Sequence, residues 1–166
     1  MFKQWLHKLS SLRFPLRPPG AVEENEFLQR CIHCRKCVEV CPYQSIKVSR
    51  GFWGLDEGTP YIEPRKVPCY LCMDCPPVCP TGALEHITEK EQVRMGIAVI
   101  DESLCLPYNG ILCRACFDKC PIFREAIILK DEIYPKVIEE HCTGCGICEH
   151  VCLTEIPAIV VKRKPI

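Results

Sequence analysis

Cys31-Ile-His-Cys34-Arg-Lys-Cys37-Val-Glu-Val-Cys41-Pro42 places four soft ligands within eleven residues. Three thiolates spaced C-x2-C-x2-C wrap one face of an iron–sulfur cubane, while a fourth cysteine one helical turn later points away toward a neighbouring cluster. Pro42 then ends the turn, because the residue before a proline disfavours the helical region. The chain repeats this pattern until sixteen cysteines fall into four groups. Electron carriage is the function such a pattern implies.

The second group, Cys69-Tyr-Leu-Cys72-Met-Asp-Cys75-Pro-Pro-Val-Cys79, keeps the spacing. The third departs from it, with seven residues between Cys105 and Cys113 before Cys116 and Cys120. A turn built on Asn109-Gly110 lets that insertion bulge out and return without moving the ligand atoms. The fourth group is Cys142-Thr-Gly-Cys145-Gly-Ile-Cys148-Glu-His-Val-Cys152, with Leu153 in place of the proline. Gly144 and Gly146 are expected to let backbone approach the cluster sulfides. All sixteen cysteines are thus candidate iron ligands.

The whole chain agrees with this chemistry. It has 166 residues, enough for one domain or two small halves, but cysteines swell its hydrophobic fraction, so metal centres would nucleate much of its folding. Zinc is the rival metal. Zinc ribbons hold their cysteine pairs on two separated turns, whereas four cysteines crowd each segment here. A disulfide scaffold would call for export, and residues 1 to 21 contain no signal-length apolar run and no twin arginines. A cytoplasmic protein is expected. The longest apolar runs, Ile97 to Ile100 and Ala158 to Val161, are strand-length and too short to span a membrane. Basic and acidic side chains balance at 21 each, which leaves no field for nucleic acid. There is no nucleotide fingerprint after a strand and no nucleophile beside a base, so the chain is expected to carry electrons without being an enzyme itself.

Between the cysteine groups the patterning is α+β. Phe2, Trp5, Leu6, Leu9 and Leu12 form an amphipathic helical stripe, which either packs on its own domain or docks on a partner. Arg17-Pro-Pro-Gly20 reads as a linker, so residues 1–21 form an N-terminal extension and 22–166 the cluster domain. A short helix over 22–30 leads into the first group, its glutamates favouring the helix N-terminus. Strands are expected within Tyr43 to Val48, Ile97 to Ile100, Tyr134 to Ile138 and Ala158 to Val161. Thr88 and Glu91 match a capping box for a helix ended by Gly96, and residues 50–60 form a loop containing Phe52 and Trp53. His33, His141 and His150 lie beside ligands as supporting or surface groups, and Lys162 to Lys164 reads as a solvated tail.

The four groups together resemble the polyferredoxin-like subunits of molybdenum and tungsten oxidoreductases. Arg17-Pro-Pro-Gly-Ala21, Gly58-Thr-Pro-Tyr61 and the long Cys105 to Cys113 loop resemble the ferredoxin-type subunit of periplasmic nitrate reductase systems. With no export signal read in the sequence, the chain also looks like the small four-cluster subunit of tungsten aldehyde oxidoreductase or benzoyl-coenzyme A reductase. That resemblance implies a duplicated bacterial-type ferredoxin-like fold and four [4Fe–4S] clusters. It implies as partners a large tungsten or molybdenum pterin subunit, a flavin and nicotinamide subunit and further copies of the chain. A free-standing polyferredoxin shuttle and a quinol-linked nitrate reductase subunit are the alternatives. The resemblance further implies nested pairing of the groups. Cys31, Cys34 and Cys37 would then join Cys152, and Cys142, Cys145 and Cys148 would join Cys41. Cys69, Cys72 and Cys75 would take Cys120, and Cys105, Cys113 and Cys116 would take Cys79. The linkers of 27, 25 and 21 residues equally permit pairing of consecutive groups.

Overall fold

The computed structural model describes residues 15–51 and 57–163. The amphipathic stripe at residues 2–12, together with Phe52 and Trp53, lies outside them. Short elements alternate along the chain: α1 (Glu24–Arg30), α2 (Lys36–Glu39), β1 (Ile46–Val48), β2 (Pro60–Ile62), β3 (Ile97–Ile100), α3 (Ala115–Asp118), β4 (Ile127–Lys130), β5 (Tyr134–Val137), α4 (Ile147–His150) and β6 (Ile159–Lys162). Single 3-10 turns occupy Lys90–Gln92 and Leu106–Asn109. The mixed α and β character matches the patterning. β1, β3, β5 and β6 fall on the apolar runs that announce them. By contrast, β2 begins within the stretch read as a loop and β4 has no expected counterpart, each formed by pairing with the strand across its hairpin.

Pairing is antiparallel throughout and strictly local to each half. In the second half the order is strand, cysteine group, hairpin, cysteine group, strand. There β4 pairs with β5 as the inner hairpin, and β3 pairs with β6 as the outer ribbon, Ile97 opposite Lys162 and Ile100 opposite Ile159. The first half follows the same order. Its hairpin is β1 with β2, Ile46 opposite Ile62, and its outer ribbon has shrunk to a single bridge between Ala21 and Leu84. Among the described residues, no helix is long and apolar enough to cross a membrane.

The core runs between these ribbons. Phe27, Val93, Ile127 and Ala98 are buried in it beside Cys69, Cys75, Cys142, Cys145 and Cys148. Cysteines therefore serve as core residues, as the thin aliphatic supply requires.

The proline-rich stretch is not a linker. Arg17 is 2% exposed, Pro18 and Pro19 are fully buried, and Leu16 bridges to Ile62. The Arg17 guanidinium grips the Glu24 carboxylate in bidentate fashion, Nη2 to Oε1 at 2.7 Å and Nε to Oε2 at 3.1 Å. It also donates to Thr59 Oγ1 at 2.8 Å and to the Pro60 carbonyl at 2.9 Å, and lies 4.7 Å from the centroid of the Phe27 ring. Glu24 accepts a second cation from Arg163. Arg163 is therefore tied down rather than left in solvent as part of a tail, Lys164 lying outside the described residues, and Glu24 does more than favour a helix dipole. Burial opposes ionisation of Glu24, but its hydrogen bonds and charge contact with Arg17 and Arg163 outweigh that and hold its pKa below the ordinary value. The contribution is full above the unfolded carboxylate value near about 4.3 and is lost only as pH falls through the lower folded value. Arg17→Ala strands the Glu24 carboxylate with much of its neutralising charge gone. Denaturant unfolding of the anaerobic holoprotein at pH 7 is expected to show a loss of about 3–5 kcal/mol.

One further expectation changes and another is met. The capping box at Thr88 does not form: the segment is one 3-10 turn, preceded by Glu89 with no side-chain cap. The insertion in the third group is a built turn, with Gly110 in the left-handed conformation after Asn109. Asn109 Nδ2 donates to the Cys105 carbonyl at 2.9 Å and the Ser103 carbonyl at 3.2 Å, and Tyr108 donates to the Pro135 carbonyl at 3.2 Å. The excursion is thus fastened at its base and at its tip, and it returns the chain to Cys113.

Candidate functional site

The chain path brings the sixteen thiols into four sets. In the first, third and fourth groups the third cysteine sits in a short helix (Cys37 in α2, Cys116 in α3, Cys148 in α4) that carries the chain on to the fourth. Site I gathers Cys31, Cys34, Cys37 and Cys79 around a hollow of about 440 Å³, part of it open to solvent. Site II gathers Cys41, Cys69, Cys72 and Cys75 around a similar space of about 320 Å³. Site IV gathers Cys105, Cys113, Cys116 and Cys152 around about 380 Å³. At site III, Cys120 stands within electrostatic reach of Cys142 and Cys145, which with Cys148 line the most deeply buried of the four.

This grouping corrects the nested pairing. Cys152 lies with the third group rather than with Cys31, and Cys41 lies with the second rather than with Cys142. Cys79 and Cys120 likewise exchange places with their expected partners. The physical cause is the pairing of strands. The Ala21–Leu84 bridge closes the first half on itself, and the β3–β6 ribbon closes the second, so each fourth cysteine meets the neighbouring group in its own half.

The sites form a row. Cys75 feels the charge of Cys37, which sets site II beside site I. Cys69 feels Cys145, and its N–H donates to the Cys145 carbonyl at 2.9 Å, which sets site II beside site III. Cys148 feels Cys116, which sets site III beside site IV. Arg65 rivets the halves together, donating to the carbonyls of Glu149 at 2.9 Å, Cys152 at 2.8 Å and Thr154 at 3.0 Å. Buried Glu149 accepts the Val161 N–H at 2.7 Å and so locks α4 to β6. Neither role is signalled by sequence, since both residues sit in polar surroundings that read as surface.

Local backbone geometry repeats with the cysteines. The residues flanking the second cysteine adopt positive φ in three of the groups: His33 and Arg35, Leu71 and Met73, and Gly144 and Gly146. In the first two groups the left-handed residue aims its N–H at sulfur, His33 toward Cys31 and Leu71 toward Cys69 at 3.4 Å. For a side chain other than glycine this conformation costs roughly 1–2 kcal/mol, and the loops keep it where the ligands need it. The two glycines of the fourth group meet that need without strain, and they also permit close packing. A Cβ on Gly144 would lie 2.3 Å from the Gly96 nitrogen, and one on Gly146 would lie 2.4 Å from Pro64 Cβ. Their close approach is to neighbouring backbone and Pro64, a role that the sulfide expectation misses.

The donor set fits [4Fe–4S] clusters. All sixteen cysteines are free thiols. Among the described residues no three His, Cys, Asp or Glu side chains draw close enough to share one ion. Thiols ringing a space suit a multi-iron cluster better than a lone tetrahedral metal. Burial, then the charges of Cys31, Cys34 and Cys79, pushes Cys37 up to about 11. Burial, reinforced by Cys105 and Cys113, pushes Cys116 up to about 12. Sets of thiols this crowded become thiolates when iron supplies compensating charge. Cys79 and Cys152 run the other way. Burial raises them, but hydrogen bonds outweigh it: from the Leu84 and Thr81 amides and the Thr81 hydroxyl at Cys79, and from the Thr154 hydroxyl and amide at Cys152. Of the histidines, His150 rests its ring Nδ1 3.1 Å from the Arg65 carbonyl and His141 lies 3.7 Å from Glu125, both at the surface.

Fold and thiol geometry define a ferredoxin-type protein that binds multiple 4Fe–4S clusters, and family comparison agrees. Residues 30–83 match the 4Fe-4S dicluster domain and residues 139–155 a 4Fe-4S binding domain. The chain is 44% identical over 160 residues to the ferredoxin-type protein NapG of Escherichia coli (strain K12), covering 88% of this chain and 69% of the relative. It is 41% identical over 160 residues to the methylamine utilization ferredoxin-type protein MauM of Paracoccus denitrificans (strain Pd 1222), covering 90% and 71%. The MauM of Methylorubrum extorquens (strain ATCC 14718 / DSM 1338 / JCM 2805 / NCIMB 9133 / AM1) is 40% identical over 160 residues, covering 90% and 73%. The chain belongs to this NapG/MauM family of iron–sulfur, ferredoxin-type electron-transfer proteins.

Proposed function

We propose that the chain is a duplicated ferredoxin that holds four [4Fe–4S] clusters on all sixteen cysteines and relays single electrons along the row from site I to site IV. The observation that carries this reading is the linear order of the four thiol sets. Each cluster, when bound, supplies a one-electron couple. The residues of the chain hold the sites in sequence and bury site III most deeply, while one cysteine of site I and one of site II, Cys34 and Cys72, reach the surface. Cys34 is exposed at site I, and Leu112 and Leu153 beside site IV are 84% and 72% exposed. Partners accordingly engage at opposite ends of the row, as a subunit of an oxidoreductase complex requires.

A quinol-linked, nitrate-reductase-type electron-transfer subunit is better supported than a tungsten-enzyme subunit, because the relatives are NapG and MauM proteins. A tungsten or molybdenum pterin partner, a flavin subunit and additional copies find no specific support in them, nor does a cytoplasmic location. The electron-transfer role stands apart from all of these. Anaerobic analysis of the purified full chain is expected to find about sixteen iron and sixteen sulfide per chain. About eight of each would sink the four-cluster reading, and zinc without sulfide would sink electron transfer altogether.

A further inference from the structure

Only the two outer sites have a threonine two residues beyond their fourth cysteine. Cys79 is followed by Thr81, its Oγ1 3.8 Å from the sulfur, and Cys152 by Thr154, its Oγ1 3.1 Å from the sulfur. At the inner sites the corresponding residues are Tyr43 after Cys41 and Ile122 after Cys120. Tyr43 packs its ring on Tyr70, and Ile122 offers the Cys120 sulfur only backbone groups, its carbonyl oxygen at 3.6 Å and its amide. The Thr154 hydroxyl is also oriented. Its oxygen accepts the Ala158 N–H at 3.0 Å and lies 3.1 Å from Cys152 Sγ, within reach to donate to it. A thiolate bound to iron has no proton to give, so in the loaded site the threonine is the donor.

We propose that Thr154 is a tuning residue that raises the reduction potential of site IV through its hydrogen bond to Cys152, with Thr81 doing the same more weakly at site I. The inference rests on the cluster reading above. Reduction places additional negative charge on the cluster and its sulfurs, and a donor to a ligand sulfur stabilises the reduced form more than the oxidised one. The shorter contact at Thr154 and its anchoring by Ala158 make its effect the larger. The two ends of the row are thereby held above the level that their thiolates alone would give. The inner sites receive no hydroxyl bond from this position.

The test uses full-length holoprotein purified anaerobically, with potentiometric titration followed by electron paramagnetic resonance. Thr154→Val is expected to keep full iron and shift one of the four midpoints downward while the other three hold, and Thr154→Ser restores it. Thr81→Val is expected to shift a different midpoint, and by less. Four unchanged midpoints in Thr154→Val at full iron content would overturn the inference. So would loss of one cluster's iron from that variant, since the hydroxyl would then be holding the loop rather than tuning the site. A wild-type chain lacking four clusters is a separate outcome that overturns the reading on which the inference stands.

Discussion

Cys41→Ser is expected to perturb the cluster of Cys69, Cys72 and Cys75, and pairwise combinations reveal it. Each of Cys41→Ser, Cys72→Ser and Cys145→Ser alone costs or converts one cluster, taking iron from roughly sixteen to as few as roughly twelve per chain. Cys41→Ser with Cys72→Ser is expected to cost no more than either alone, because both act on site II. Cys41→Ser with Cys145→Ser is expected to perturb two clusters, toward roughly eight iron. Nested pairing gives the reverse: Cys41 and Cys145 would then act as one and Cys41 with Cys72 as two. Iron analysis with spin quantitation of each variant decides between them, and additive loss in the Cys41–Cys72 pair would defeat the grouping described here. The expectation follows from strand pairing, since the Ala21–Leu84 bridge returns the chain over site I before the second half begins.

Gly144→Ala is expected to be strongly destabilising. Its Cβ would stand 2.3 Å from the Gly96 nitrogen and 2.6 Å from the Gly96 oxygen, at a φ of +72° that already disfavours alanine. Neither contact is with a flexible side chain, so backbone must move. Overpacking and the left-handed conformation together cost about 3 kcal/mol or more. The movement would fall on the loop between Cys142 and Cys145, so denaturant stability and site III iron are expected to decline together. Gly110→Ala is the control. It shares the positive φ, at +79°, but a Cβ there meets nothing within 4 Å, so it isolates the conformational part of the cost. Equal stability of Gly144→Ala and wild type would show that the segment bearing Gly96 is free to withdraw.

The chemistry was legible in the sequence because cysteine spacing is dictated by the dimensions of what it binds. The four repeated cysteine groups, the strand at Ile97 to Ile100 and the outward turn at Asn109-Gly110 all follow from local pattern. Pairing of the groups was not legible, because linkers of these lengths reach either partner and the choice is made by strands of three or four residues. Arg17 was hidden for a different reason: an arginine before two prolines has the composition of a linker, and only the distant Glu24, Thr59 and Pro60 make it a core residue. Arg65, Glu149 and Thr154 share that fate, since each acts through a partner that the linear chain does not announce. The glycines of the fourth group were noticed for a sound reason, their backbone freedom, yet their neighbours proved to be Gly96 and Pro64.

The closure of each half on itself bears on how the protein is made. All eight sulfurs of sites I and II lie between Cys31 and Cys79, and the bridge that seals them is complete once Leu84 and Glu85 have been synthesised. The leading half can therefore take on its metal and fold while the trailing half is still on the ribosome, as domains emerging in order do. Interlocked halves would have left every thiol waiting, exposed to oxidation, until the last group appeared. Tandem order limits that exposure to one half at a time, and Arg163, synthesised after all four cysteine groups, fastens the second half to Glu24 of the first.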